Sequence, residues 1–126
     1  MADGRTRETC LTRRVRDEIL SWPVVVFAKG SKEYPLQAET AAAVHLLDHL
    51  GVDFRIVDVI AEPSLEAALR EVSGWPRLPQ VFVRGALVGD ADILREIYLT
   101  GELNDLLYEK GIPAGSYTDR LKKGME

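Results

Sequence analysis

The chain has 126 residues, which is long enough for one domain with a hydrophobic core that needs no disulfide or metal. Hydrophobic residues make up 46% and charged residues 29% of the sequence, as in an ordinary soluble protein. The net charge of −4 argues against nucleic acid as the main partner, because phosphate binding needs a clustered excess of Lys and Arg. The N-terminus is polar and the longest apolar run is short, so we expect no signal peptide, no membrane span and a cytoplasmic location.

Few side chains in this sequence offer sulfur or imidazole chemistry. Cys10 is the only cysteine, which excludes an intrachain disulfide and an all-cysteine metal site. We interpret it as a small, half-buried residue near a helix start rather than a redox centre. His45 and His49 are four residues apart on a predicted helix, but no third ligand follows at a suitable spacing, so we predict no metal site.

The first half of the chain predicts a helix, a strand, a helix and a strand. Residues 1–7 are expected to be disordered, and the apolar spacing of residues 9–21 predicts a helix that packs by one face and ends at Trp22-Pro23. The continuous β-branched run from residue 24 to 28 predicts a buried central strand. A helix over residues 36–50 and a strand over residues 52–60, parallel to the first, would complete a right-handed βαβ unit.

The second half predicts a helix, a hairpin and two short helices. Residues 63–72 form a third helix with Pro63 at its start. Residues 80–83 and 86–88 read as hairpin strands joined at Arg84-Gly85, and Asp90 and Asp92 suit the N-cap and first turn of the next helix. Two helices over residues 93–100 and 102–107 complete a domain predicted to span residues 8–112, and residues 113–126 would form a basic, frayed tail.

Two motifs carry a resemblance to a known family, the monothiol glutaredoxins, a branch of the thioredoxin fold. Members of that family carry Trp-Pro-Thr-aromatic-Pro-Gln and then Gly-Gly-Cys-Asp. The matching segments here are Trp75-Pro76-Arg77-Leu78-Pro79-Gln80 and Gly89-Asp90-Ala91-Asp92. The resemblance extends over roughly residues 8 to 110 without an evident gap. It implies an α/β, thioredoxin-like fold in which a four-stranded mixed sheet is flanked by helices on both faces.

The resemblance also indicates that the family's nucleophile is missing. In the family, Lys-Gly is followed by a short loop and then Cys-Gly-Phe-Ser, whose thiolate has a lowered pKa and, with glutathione, ligates a shared [2Fe–2S] cluster. In an ungapped register from Lys29-Gly30, the motif is replaced here by Gln37-Ala38-Glu39-Thr40, so that Gln37 stands at the position of the Cys. A Gln amide neither ionises near neutral pH nor binds iron as a thiolate does. We therefore expect no catalytic residue at position 37 and no [2Fe–2S] cluster.

The positions that hold glutathione in the family are partly retained. Lys29 is suited to a carboxylate, the main chain of Leu78 to strand-like pairing with an extended peptide, and Asp92 to an α-ammonium, with helix amides nearby. Glu66 stands where the family has a carboxylate-binding Arg, which would remove a bond worth about 1.5–3 kcal/mol and add repulsion. The predicted ligand-binding residues are Lys29, Arg77, Leu78, Pro79, Ala91 and Asp92.

Two further substitutions change the charge expected around the ligand. Asp90, in place of a Gly, adds a negative charge. Arg77, in place of a Thr, has two interpretations: it supplies the missing cation, or it pairs with Glu66 or Glu39.

Three functions are compatible with these residues. The first is a catalytically silent glutaredoxin homologue that binds glutathione, a related peptide or a protein partner. The second is a glutaredoxin-class redox or [2Fe–2S] protein that uses another sulfur, for which Cys10 is the only candidate. The third is a structural module, such as half of a homodimer. We favour the first, because the resemblance does not bring Cys10 near the site.

Overall fold

A computed structural model describes residues 9–112, so the predictions of a disordered N-terminus and a C-terminal tail lie outside the described residues. Within this range the chain forms five helices and four strands. In chain order they are α1 (Cys10–Ser21), β1 (Val24–Ala28), α2 (Ala38–His49), β2 (Arg55–Asp58), α3 (Ser64–Ser73), β3 (Gln80–Val83), β4 (Ala86–Gly89), α4 (Ala91–Thr100) and α5 (Glu102–Glu109).

The four strands form one mixed sheet in the order β2-β1-β3-β4. β1 is parallel to β2, with Val26 opposite Ile56, and antiparallel to β3, with Val26 opposite Val81. β3 and β4 form an antiparallel hairpin. Arg84 and Gly85 at its turn have φ angles of 51° and 86°, the left-handed conformations that a two-residue type I′ turn requires. The predicted thioredoxin-like sheet is confirmed.

The central strand divides the core between the two faces of the sheet. Val24, Val26 and Ala28 of β1 are buried on the face that α2, α4 and α5 cover. Val25 and Phe27 are buried on the opposite face, against α1 and α3. Because successive side chains of a strand point to opposite faces, one continuously apolar strand supplies both halves of the core.

Two sequence-based expectations about local structure are wrong. The second strand is shorter than the predicted 52–60, since the Asp58 carboxylate accepts the backbone N–H of Ile60 at 2.9 Å and turns the chain out of the sheet. Cys10 is exposed rather than half-buried. It is the first residue of α1, just after the N-cap Thr9, whereas the buried face of this helix begins at Thr12.

Candidate functional site

A pocket of about 290 Å³ lies where the N-termini of α2 and α4 meet α3 and the loop before β3. We call it the central pocket. Of the predicted site residues, Lys29, Gln37, Arg77, Leu78, Ala91 and Asp92 line it, whereas Pro79 is buried and Pro76 lines the pocket instead. The remaining lining residues are Glu39, Glu66, Arg70 and Asp90. The fold therefore brings together residues that are spread along the sequence from Lys29 to Asp92.

The N-terminus of α2 has no side-chain cap among residues 9–112. Gln37 is the N-cap residue, with extended backbone, and its side chain makes no capping hydrogen bond. Its Oε1 atom is buried and has no hydrogen-bond partner among the described residues. Glu39, in the first turn, is exposed at the edge of the pocket. The helix thus presents uncapped backbone N–H groups at the pocket wall.

The N-terminus of α4 is capped, as the sequence predicts. Asp90 is 4% exposed, and its Oδ1 accepts the backbone N–H of Ile93 at 3.1 Å. Its Oδ2 accepts the indole N–H of Trp75 at 3.3 Å and lies 3.5 Å from Nε of Arg77. The carboxylate is shared among three donors, so it presents less negative charge to a ligand than the sequence suggests.

Arg77 pairs with the acids of α4. Besides Asp90, its Nη1 lies 3.7 Å from Oδ2 of Asp92, and its side chain is 66% exposed. The prediction that Arg77 pairs with Glu66 or Glu39 is wrong, because the loop directs this side chain toward α4 rather than toward α3 or α2. Arg77 and Asp92 are close enough to act on one ligand together.

Arg70 is a pocket residue that the sequence analysis missed. Its Nη2 donates to Oε2 of Glu66 at 2.8 Å, one turn earlier on α3, and its Nε donates to the carbonyl of Pro76 at 3.4 Å. An i,i+4 Glu and Arg pair on a predicted helix is a recognisable local signal. Glu66 is therefore bonded to an arginine rather than standing alone as a negative charge.

Lys29 follows β1 at the carboxyl end of the parallel strand pair, where α/β sheets commonly place ligands. Its side chain is half-buried, and within residues 9–112 it makes no ion pair or hydrogen bond. The main chain of Leu78, across the pocket, also makes no hydrogen bond within that range. Both groups are available to a ligand.

Other candidate chemistry lies away from the central pocket. Cys10 is not among the lining residues. His49 packs its ring edge-on against Tyr98 at 6.2 Å, and residues 9–112 hold no group of three or more His, Cys, Asp or Glu side chains arranged to bind a metal. In the same range, no helix combines the length and the apolar character that crossing a membrane requires.

Comparison with known proteins connects this fold and pocket to a family. The family model described as Glutaredoxin matches residues 24–88, from the first residue of β1 into β4. The chain belongs to the glutaredoxin family. Among its curated glutaredoxin relatives is "Probable monothiol glutaredoxin 2" of Rickettsia felis, 40% identical over 93 residues, which are 74% of this chain and 89% of the relative. The resemblance to the monothiol glutaredoxins is thereby confirmed.

Solved glutaredoxins share the fold. A solution structure of a monomeric truncated mutant of Trypanosoma brucei 1-C-Grx1 superimposes with a TM-score of 0.77 at 33% identity, covering 86% of this chain and 98% of that one. A crystal structure of a buckwheat glutaredoxin–glutathione complex gives a TM-score of 0.71 at 26% identity, covering 80% and 90%. The likeness extends over most of each chain.

Proposed function

We propose that this glutaredoxin-family chain binds glutathione or a related anionic peptide in the central pocket without carrying out thiol chemistry there. One observation carries the proposal: Gln37, which the ungapped register aligns with the family's nucleophilic Cys, lines the same pocket as Lys29, whose side chain has no ion-pair partner within residues 9–112. The pocket keeps groups that bind a peptide anion and lacks the group that would react with it.

Three features of the pocket support an anionic peptide ligand. Lys29 has no carboxylate partner within residues 9–112, so a ligand carboxylate can pair with it directly. The unpaired main chain of Leu78 can pair with an extended backbone, and the first turn of α4 offers backbone N–H groups to a second carboxylate. The buckwheat relative was solved as a glutathione complex, which favours the same class of ligand.

The donor atoms of the pocket do not fit an iron–sulfur cluster. None of its described lining residues carries sulfur, and the Gln37 amide is a hard, neutral donor rather than the thiolate that such clusters require. The same amide cannot form a mixed disulfide with glutathione, because that step needs a thiolate nucleophile. Both activities are accordingly excluded from this proposal.

A redox role through Cys10 is the second candidate, and one observation favours it. The thiol is exposed, so an oxidant or a disulfide can reach it. It does not line the central pocket, so such chemistry would not use the ligand bound there.

A calorimetric titration with reduced glutathione tests the proposal. We expect saturable binding that Lys29→Gln weakens by about 1–2 kcal/mol, because a charge-assisted hydrogen bond is lost. Lys110→Gln, which removes the same charge away from the pocket, should leave the affinity unchanged. The wild-type protein should also be colourless and inactive as a glutathione-dependent disulfide reductase. Heat at the level of buffer dilution would refute the binding role, and reductase activity that Cys10→Ser abolishes would favour the second candidate.

A further inference from the structure

We infer that Arg70 is a second cation for the ligand's C-terminal carboxylate and that Glu66 is the positioning residue that holds it at the pocket wall. This inference rests on the proposed binding of a peptide anion in the central pocket. It reverses the role that the sequence assigns to Glu66, from a residue that repels the ligand to one that supports its binding.

The contacts of Arg70 leave it able to bind a ligand while remaining fixed. Arginine has five N–H donors, and the bonds to Glu66 and to the Pro76 carbonyl use two of them. The remaining three are free for an acceptor in the pocket that Arg70 lines. The Glu66 side chain is 23% exposed and that of Arg70 is 51% exposed, so the acid is the more buried anchor and the guanidinium the more accessible group.

The acids of the central pocket follow the same pattern on its other wall. Asp90 and Asp92 contact Arg77, as Glu66 contacts Arg70. Three of the four lining carboxylates are thus close to an arginine, and Lys29 adds a cation that has no acidic partner in the described part of the chain. A pocket that appears acidic in the sequence therefore offers cationic groups to a ligand from three sides.

Charge-neutralising variants distinguish a positioning Glu66 from a repelling one. In titrations with reduced glutathione, Arg70→Gln should weaken binding about three- to tenfold. This effect is smaller than that of losing a buried charge-assisted hydrogen bond, because solvent screens the half-exposed guanidinium. Glu66→Gln should weaken it about two- to fivefold, because the guanidinium loses its tether. Glu71→Gln and Arg13→Gln change the same charges at exposed positions away from the pocket and should have no effect.

Glutathione without its C-terminal carboxylate tests whether Arg70 contacts that carboxylate. Glutathione whose C-terminal carboxylate is amidated should bind the wild type more weakly, and both Arg70→Gln and Glu66→Gln should then lose most of their effect. A purely structural role of either residue would weaken binding of both ligands equally, and that result would overturn the inference.

The remaining outcomes separate this inference from the proposed function. If wild type binds glutathione but Arg70→Gln behaves like Arg13→Gln, or Glu66→Gln binds more tightly than Glu71→Gln, this inference alone is wrong. If wild type binds neither ligand, the proposed function and the inference fail together.

Discussion

Two helix N-termini line the central pocket, and they differ in how their backbone N–H groups are capped. At α4, the side chain of Asp90 caps the helix, accepts a hydrogen bond from the indole N–H of Trp75 and forms an ion pair with Arg77 of the neighbouring loop. At α2, Gln37 makes no capping bond and keeps a buried amide oxygen without a partner among the described residues. A side chain of this chain caps the N-terminus of α4, whereas the backbone N–H groups at the N-terminus of α2 have no side-chain cap among the described residues. The α4 wall therefore contributes to stability through its side-chain cap, and the described residues give the α2 wall no such cap.

Asp90→Ala should produce the largest effect on stability. The variant loses an N-cap worth about 1 kcal/mol and leaves the half-buried indole N–H of Trp75 without its acceptor, for a total of about 2 kcal/mol. We expect the free energy of unfolding in urea to fall by that amount.

Two controls make this prediction specific to the capped helix. Asp92→Ala removes an acid from the same turn, but its side chain is 71% exposed and should contribute only about 0.3 kcal/mol. Gln37→Ala, at the uncapped helix, should change stability by less than about 0.5 kcal/mol. If Asp90→Ala is no more destabilising than these two, the capping network is not a source of stability.

The features that were correct from sequence are those that local chemistry determines. The apolar run of β1 identified a strand buried on both faces, and Arg84-Gly85 identified the hairpin turn, because each depends on neighbouring residues alone. The Asp90 cap belongs to the same class.

The features that were wrong or missed depend on contacts between distant segments. Nothing near Arg77 shows that it faces α4 rather than α3, since this depends on the path of the loop over the sheet. Arg70 was missed although its i,i+4 spacing from Glu66 was visible, because only the packed fold shows that this face of α3 lines the pocket. The charges of the central pocket could therefore be counted from the sequence, but their pairing could not.

Gln37→Cys, in a Cys10→Ser background, tests whether the α2 end still has the field that activates a thiol. Within residues 9–112, the uncapped N-terminus and Lys29, which has no acidic partner there, both favour a thiolate, and Glu39 is the only lining acid without an ion pair. We expect the pKa of the introduced thiol to lie below the ordinary value of about 8.5, because the helix N-terminus and Lys29 stabilise the thiolate, and ultraviolet absorbance of the thiolate measures it.

The neighbouring charges provide the matched variants for this titration. Adding Glu39→Gln should lower the thiol pKa further, and adding Lys29→Gln should raise it. If the pKa of the introduced thiol is at or above the ordinary value, the N-terminus of α2 and Lys29 no longer stabilise a thiolate at this position.

The smallest expected effect comes from giving α2 the cap that α4 already has. Gln is a poor N-cap because its longer side chain does not reach its own helix amides well, whereas Ser accepts an N–H from the first turn at little conformational cost. Gln37→Ser also removes the amide oxygen that is buried without a partner among the described residues. We expect the free energy of unfolding in urea to rise by about 0.5–1 kcal/mol.

Asp90→Ser is the matched change at the other helix and should lower the free energy of unfolding, since Ser keeps the cap but loses the charged acceptor for Trp75 and Arg77. If Gln37→Ser leaves stability unchanged while Asp90→Ser lowers it, the α2 amides are already well satisfied by solvent, and the difference between the two helix ends lies in rigidity rather than in unsatisfied hydrogen bonds.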